Sequence, residues 1–416
     1  MRIVDLFAGI GGLRSGAVLA IQEAGFHPEV VFTSEIKKAA IAVLEANYPN
    51  EKISGDITSI DERLVPDHDV LLAGFPCQAF SFAGSRRGFD DPTKGTLFFD
   101  VARILREKMP EYFILENVEG LIAHDPDLND KSSGYGRTFR TILNTLTSLG
   151  YNVDWSILNA TDFGVPQARK RVFIVGSKSH APNLLEVVKT PSLPLSSVLE
   201  AGRKETEPKV VQFSNMLTAK YSLPYLSGKV IRDKRGGPNN LHSWNIGYKG
   251  TLRASEQQLM EEFLVQTRRS KWAMSKGIKK AECTPLNIGD IRSFATVPAG
   301  ESLEQMLAGL TRCGYLVNES GEYRIFSGRL SMPLSHILDP SKYVQTLVAT
   351  DADRIGVIDD GSIRRLTNVE IMRLFGFPDD MLLPMSLTRS KIFDVFGNSV
   401  VVPVAKAVVK CLISHK

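Results

Sequence analysis

The sequence predicts an α/β protein: a mainly parallel sheet with helices on both faces, joined to a smaller, irregular and basic unit. Three observations carry that expectation. Short apolar runs alternate with helix-like stretches over the first 180 residues, glycine or acidic residues follow several of those runs, and the pattern stops at prolines near residue 182. Strands that alternate with helices form parallel sheets, because the crossover helices cover both faces. Ligands in such sheets bind beyond the carboxyl ends of the strands.

The expected strands are residues 3–7, 29–33, 69–73, 112–115, 152–158 and 171–175. The expected helices between them are a run ending at Glu23, then 36–47 and 97–108. Pro182, Pro191, Pro194 and Ser196-Ser197 read as a linker. Residues 254–282 read as helical with a cationic end, and 400–412 as a final helix. Two domains follow: 1–180, completed by about 385–416, and 181–384, whose variable part is 181–343.

Composition narrows the class. Of 416 residues, 43% are hydrophobic and 23% charged, which excludes a mostly disordered chain. No stretch approaches the ~18 uninterrupted apolar residues of a membrane span, and Asp5 interrupts the only apolar start. Cys77, Cys283, Cys313 and Cys411 are scattered, with neither a disulfide framework nor paired metal-ligand spacing. These features predict a cytoplasmic protein without a metal or a membrane partner. The net charge of +4 hides a block: residues 201–280 hold 16 Lys and Arg against 6 Asp and Glu. Such a block suits either a polyanion contact or a solvated surface.

Four segments could carry chemistry. Phe7-Ala8-Gly9-Ile10-Gly11-Gly12 ends a strand and opens a helix, where glycines allow a tight turn and free N–H groups meet a ligand. Glu35 and Asp56 end the next two units, placed to accept bonds from ribose hydroxyls and an adenine amino group. The three together point to an adenosine-containing cofactor. The absence of GxGxxG spacing disfavours a dinucleotide.

Gly74-Phe75-Pro76-Cys77-Gln78-Ala79-Phe80-Ser81 puts a cysteine on a loop at the same edge, where a thiolate nucleophile needs access. A polar stretch follows, from Ala79 to Lys94, of the kind that grips a substrate. Glu116 follows the fifth strand, where a carboxyl pressed against a dry site stays protonated. Gln167, Arg169 and Arg171 alternate and so share one face of an extended segment. That face could bind an anion or a carbonyl; an exposed edge strand accounts for it equally.

In order along the chain these motifs closely resemble the DNA (cytosine-5)-methyltransferases of bacterial restriction–modification type. The match runs from Asp5-Leu6-Phe7-Ala8-Gly9-Ile10-Gly11-Gly12 through Glu35, Gly55-Asp56-Ile57 and Gly74-Phe75-Pro76-Cys77-Gln78. It continues with Gly95-Thr96-Leu97-Phe98-Phe99, Glu116-Asn117-Val118 and Gln167-Ala168-Arg169-Lys170-Arg171. Arg365-Leu366-Thr367-Asn368-Val369-Glu370, Arg373-Leu374-Phe375-Gly376-Phe377-Pro378 and Phe396-Gly397-Asn398-Ser399-Val400 complete it. The resemblance covers about 1–178 and 344–412.

The resemblance implies an S-adenosylmethionine-dependent methyltransferase (Rossmann-like) mixed sheet with helices on both faces, plus a smaller, irregular target-recognition domain that reads double-stranded DNA. It implies that Cys77 thiolate adds to C6 of a flipped-out cytosine, that Glu116 holds or protonates N3, that Arg169 binds O2 and that Arg171 orients the site. Phe7, Gly9, Gly11 and Leu13 would line the S-adenosyl-L-methionine pocket, with Glu35 on ribose and Asp56 on adenine. Ile36, Ile57, Pro76 and Leu97 would add apolar walls, and Asn398 and Val400 would close it. Ile36 stands where relatives carry an aromatic, which weakens face-on packing with adenine.

DNA contacts are expected from Ser81, Arg86, Arg87, Arg232, Arg235, Lys271 and Lys276. Asn239, Asn240, Arg253 and Arg329 are further candidates for reading bases. A cognate restriction endonuclease is the expected partner and a monomer the expected state. An RNA methyltransferase on the same fold and a relative without catalysis are the alternatives. The Gln78-Ala79-Phe80-Ser81 continuation and the basic interval oppose the first; intact Cys77, Glu116 and glycines oppose the second.

Overall fold

A computed structural model describes residues 1–76, 97–126, 134–233, 237–278, 284–326, 332–347 and 352–414. The chain divides into two compact units. One comprises Met1–Glu200, Pro340–Asp353 and Leu366–Lys416; the other comprises Ala201–Asp339 and Arg354–Arg365.

The first unit is built on strands β1 (Arg2–Leu6), β2 (Glu29–Ser34), β3 (Ile53–Ser54), β4 (Val70–Ala73), β5 (Tyr112–Val118), β6 (Asn152–Asn159) and β7 (Lys170–Ser177). Their spatial order is β3-β2-β1-β4-β5-β7-β6. The β1, β2, β3, β4 and β5 neighbours pair in parallel, while β7 lies antiparallel to both β5 and β6. The sheet is therefore mainly parallel and mixed, as the resemblance implies, with its reversed strand next to the edge.

Strand polarity follows side-chain alternation. Val4 and Leu6, Leu71 and Ala73, Phe113 and Leu115, and Val172 and Ile174 all enter one core. Helices α3 (Leu97–Lys108) and α4 (Arg137–Ser148) cover that face with Phe98, Val101, Leu105, Phe139 and Ile142. These side chains recur at helical spacing, so each helix buries one stripe. Helix α1 (Gly12–Glu23) packs against the final helix, Val402–Ile413. At Gly16 a Cβ would stand 2.5 Å from Cβ of Ala405, so glycine sets how closely the two helices approach. The segment Arg389–Ile413 is long and apolar enough by composition to suit a membrane, yet most of it is buried inside this unit.

The expected domain limits differ from these units. The first unit runs on to Glu200, not 180, because the N–H groups of Leu195 and Ser196 bond the carbonyls of Lys342 and Pro340 at 2.8 and 2.9 Å. It resumes at Leu366, not 385, because the helix Asn368–Leu374 is tied into it. Glu200 N–H donates to Glu370 Oε1 at 2.8 Å, and Gln167 Nε2 donates to the Leu374 carbonyl at 2.8 Å.

The second unit holds two small cores. One gathers Val210, Phe213 and Leu217 of α5 (Pro208–Lys220) with Ile231, Leu241, Ile337 and Ile363. The other gathers Leu259 and Phe263 of α6 (Ala254–Gln266) with Trp244, Met306, Leu310 and Tyr315. The helix expected over 254–282 stops at Gln266 and is followed by a separate short one, Ser270–Ser275.

Candidate active site

The glycine turn leaves β1 in left-handed backbone, with φ of 55° at Phe7, 57° at Gly9 and 84° at Gly11. Glu35 fixes this turn from the end of β2. Its Oε2 accepts the Gly9 N–H at 2.7 Å, while Oε1 accepts the N–H groups of Ile36 at 2.8 Å and Lys37 at 2.7 Å. Two sequence-expected residues therefore touch. A Cβ on Gly9 would meet no atom within 4 Å among the described residues, which leave the space beside the turn open. Ile36 is 68% exposed beside it, while Leu13 is buried.

Asp56 Oδ1 accepts the N–H and the hydroxyl of Thr58 at 3.0 and 2.8 Å, which caps a short turn and leaves the carboxylate at the surface. Arg103 of α3 holds this turn by the carbonyls of Ile57 and Ile60, at 2.6 and 2.8 Å. Ile57 itself is buried among the core residues, Pro76 is exposed and Leu97 half-buried. Asn398 is exposed and bonds back to the Asp394 carbonyl at 2.8 Å. Val400 closes on the first turn of α1: a Cβ at Gly12 would stand 2.4 Å from its carbonyl oxygen.

Asp5 is the residue the sequence reading passed over. It is 1% exposed, and neither carboxylate oxygen has a hydrogen-bond partner among the described residues. Burial pushes its carboxyl up to about 7; nearby Arg14 opposes that rise, and Glu35 and Glu51 add to it. Arg14 is held by Glu51 at 2.6 and 2.8 Å and lies 3.8 Å from the centre of the Tyr48 ring. An aspartate inside an otherwise apolar strand was the available signal.

At the end of β5 the antiparallel register sets Val118 opposite Arg171 and Glu116 opposite Phe173. Glu116 and Arg171 are thus diagonal neighbours on one face, and Arg171 Nε lies 3.0 Å from Glu116 Oε1. Burial raises the Glu116 carboxyl, against the pull of Arg171 and Arg169. Asn117 faces the other way and donates from Nδ2 to the Phe75 carbonyl at 2.8 Å, fixing the chain just before Cys77. Val118, Lys170, Arg171, Gln345 and Thr346 line a cavity at this edge.

Gln167 and Arg169 do not join Arg171 on that face. Gln167 is fully buried against Leu374. Arg169 is 3% exposed, and its Nη atoms donate to the carbonyls of Leu347 (3.2 Å), Gly397 (3.0 Å) and Ser399 (2.8 Å). Three main-chain carbonyls take bonds from its Nη atoms, while its Nε has no partner among the described residues.

In the second unit Arg232 is half-buried, and its N–H bonds the Leu241 carbonyl at 3.0 Å. Lys271 is exposed with Nζ 4.3 Å from the centre of the Trp272 ring. Lys276 is paired, with Glu322 and Asp290 against its ammonium. Arg253 is likewise engaged by Glu256 and Glu301. Cys77, Ser81, Arg86, Arg87, Arg235 and Arg329 lie outside the described residues.

The turn, the acids at successive strand ends and the reversed seventh strand define the S-adenosylmethionine-dependent methyltransferase fold. The same fold occurs in solved structures of the Entamoeba histolytica methyltransferase EhMeth (TM-score 0.53, 14% identity, covering 100% of this chain and 98% of that one) and Spodoptera frugiperda DNMT2 (0.51, 15%, 99% of each). The profile of one family, C-5 cytosine-specific DNA methylase, matches residues 1–414. Type II methyltransferase M.NlaIV of Neisseria lactamica is 45% identical over 98% of this chain and 97% of its own length. M.BanI of Aneurinibacillus aneurinilyticus is 34% identical over 100% and 96%. The chain belongs to the C-5 cytosine-specific DNA methylase family and is a DNA methyltransferase.

Two outcomes follow from this geometry. A carboxyl raised in the folded state binds its proton more tightly there, so its contribution to stability is full below pH ~4 and falls as pH rises to about 7. Asp5→Asn should flatten the pH dependence of urea unfolding across that window and stabilise the protein at pH 8 relative to wild type. Lys271→Ala should lower the salt slope of DNA binding by about one, while Lys276→Ala leaves it unchanged; binding isotherms at several salt concentrations separate the two.

Proposed function

We propose that this enzyme methylates C5 of a flipped-out cytosine in a fixed duplex sequence through a covalent Cys77–C6 intermediate. The observation that carries the reading is the Glu116–Arg171 pair at the sheet edge, where Asn117 bonds the carbonyl of Phe75, a residue two before Cys77 in the sequence. When bound, S-adenosylmethionine supplies an electrophilic methyl group. The residues at the glycine turn fit it: a cationic adenosine derivative meets Asp5, Glu35 and Asp56, open space at Gly9 and the uncovered Ile36. Glu35 would hold the ribose hydroxyls and Asp56 the adenine amino group, with Phe7, Gly9, Gly11 and Leu13 at the turn and Val400 and Asn398 closing it.

Cytosine C5 is a weak nucleophile, so the ring must be activated first. Cys77 thiolate adds to C6 and places an electron pair on the C4–C5–N3 system. Glu116, whose carboxyl burial raises, donates a proton to N3 and stabilises the charge as the thiolate adds. Arg171, which holds Glu116 in place and lines the edge cavity, would donate to O2, and Arg169, its Nη atoms on three carbonyls, would support the segment behind it. After transfer the C5 proton passes to water, the Cys77 thiolate is expelled as the C5–C6 double bond re-forms, and N3 returns its proton to Glu116. Because C5 is hidden in the duplex, the base must leave the stack, at a cost of a few kcal/mol.

The stretch from Ala79 to Lys94 would close over the flipped base, with Arg86 and Arg87 near phosphates and Ser81 on the DNA, and Arg232, Arg235 and Lys271 of the second unit would contact duplex DNA. We also infer that the enzyme is the modification half of a restriction–modification pair, shares its site with a cognate endonuclease, and acts as a cytoplasmic monomer.

Transfer of labelled methyl to duplex DNA, with bisulfite sequencing of the product and a tRNA control, tests the reading. Label on duplex cytosines in one context is the expected result, and label on tRNA alone would sink it. Cys77→Ala should abolish turnover while DNA binding persists. Glu116→Gln should lower kcat by about 10²–10³-fold, the ordinary loss for one charge-stabilising group.

A further inference from the structure

We propose that Arg169 is a positioning residue that couples cofactor binding to target-base binding; the proposal rests on the cytosine-methylation reading above. The path is continuous in the first unit. At one end, Glu35 grips Gly9, and Gly12 lies in close contact with the carbonyl of Val400 and the hydroxyl of Ser399. In the middle, the carbonyls of Gly397 and Ser399, immediately before Val400, receive the Nη2 bonds of Arg169. Its guanidinium also lies 5.3 Å from the centre of the Phe375 ring, and Phe375 accepts the Val402 N–H at 2.9 Å. At the other end, two residues along the chain from Arg169, Arg171 meets Glu116.

These contacts are mainly to main-chain atoms in a close-packed interior, where a shift at one end cannot be absorbed by solvent or a surface side chain. A filled cofactor turn fixes Gly12 and hence Val400. Val400 fixes the carbonyls before it, and these seat Arg169 and the segment that presents Arg171. The two ends also sense each other by charge. Burial, and then Arg171, bring the Arg169 guanidinium down to about 9, with Glu116 opposing; it stays charged at neutral pH. Base binding that changes the charge around Glu116 and Arg171 therefore alters the energy of Arg169. Coupling of this kind is reciprocal: what the cofactor does for the base, the base does for the cofactor.

The test is calorimetric titration of S-adenosylhomocysteine into the full-length enzyme, alone and with a duplex carrying the context found by bisulfite sequencing. The readout is the ratio of the two affinities. In the wild type the duplex should tighten S-adenosylhomocysteine at least about fivefold, the lower end of ordinary coupling. Arg169→Lys keeps the charge but cannot span three carbonyls, and should bring the ratio close to one with the thermal unfolding cooperative. Gly12→Ala disturbs the other end of the path and should also reduce the ratio, the double variant losing no more than the greater single loss. If Arg169→Lys does not fold, Gly12→Ala decides the matter. A wild-type ratio of one, or a ratio preserved while both affinities fall, would overturn the proposal and leave Arg169 a packing residue. A wild type that methylates no duplex cytosine would instead defeat the parent reading.

Discussion

The antiparallel insertion of β7 beside β5 is the constraint on which the site depends. In a purely parallel sheet the segment before a strand lies at the edge opposite the ligand. Reversing β7 brings its first residues to the edge where β1, β2 and β5 end, so Arg171 arrives next to Glu116. The pairing register then decides which side chains meet. A one-residue slip would turn Arg171 to the face occupied by Val172 and Ile174, whose side chains belong to the core. Apolar burial on that face therefore protects the register, and the register protects the ion pair.

A second dependence links the two ends of the chain. The glycine turn and α1 come from the first 23 residues, but their cover comes from the last 20. Gly12 and Gly16 keep this side of α1 low enough for Val400 and Ala405 to lie against it. Asp5 and Arg14 sit beneath the same turn as a buried acid and a paired base. Such groups are costly to bury, and titratable groups shifted in this way cluster at functional sites.

Much of this was legible in the sequence because strand and helix periods were clean. The helix Leu97–Lys108 matches its expected limits, and most strand expectations differ by one to three residues. Glu35, Glu116 and the glycine turn fell where strand ends predicted. Alternation failed at Gln167, Arg169 and Arg171 for a specific reason. Gln167 N–H bonds the Val165 carbonyl at 2.8 Å and Arg169 N–H bonds the Gln167 carbonyl at 3.0 Å, so two tight three-residue turns break the extended backbone. Charge counting does not show that Glu322 and Asp290, distant in sequence, lie beside Lys276 and pair with it. The re-entry at Pro340 was missed because the strand it forms, Val344–Gln345, is two residues long and pairs with another of the same length.

In the proposed mechanism Glu116, held by Arg171, supports the attack of Cys77 on C6. A duplex with 5-fluorocytosine at the target position tests it directly, because fluorine cannot leave C5 as a proton does and the enzyme stays attached. The account predicts a protein–DNA adduct stable on a denaturing gel, mapping to the peptide that contains Cys77, and formed roughly 100-fold more slowly by Glu116→Gln. Adduct formation at an unchanged rate in Glu116→Gln, or at a residue other than Cys77, would contradict it.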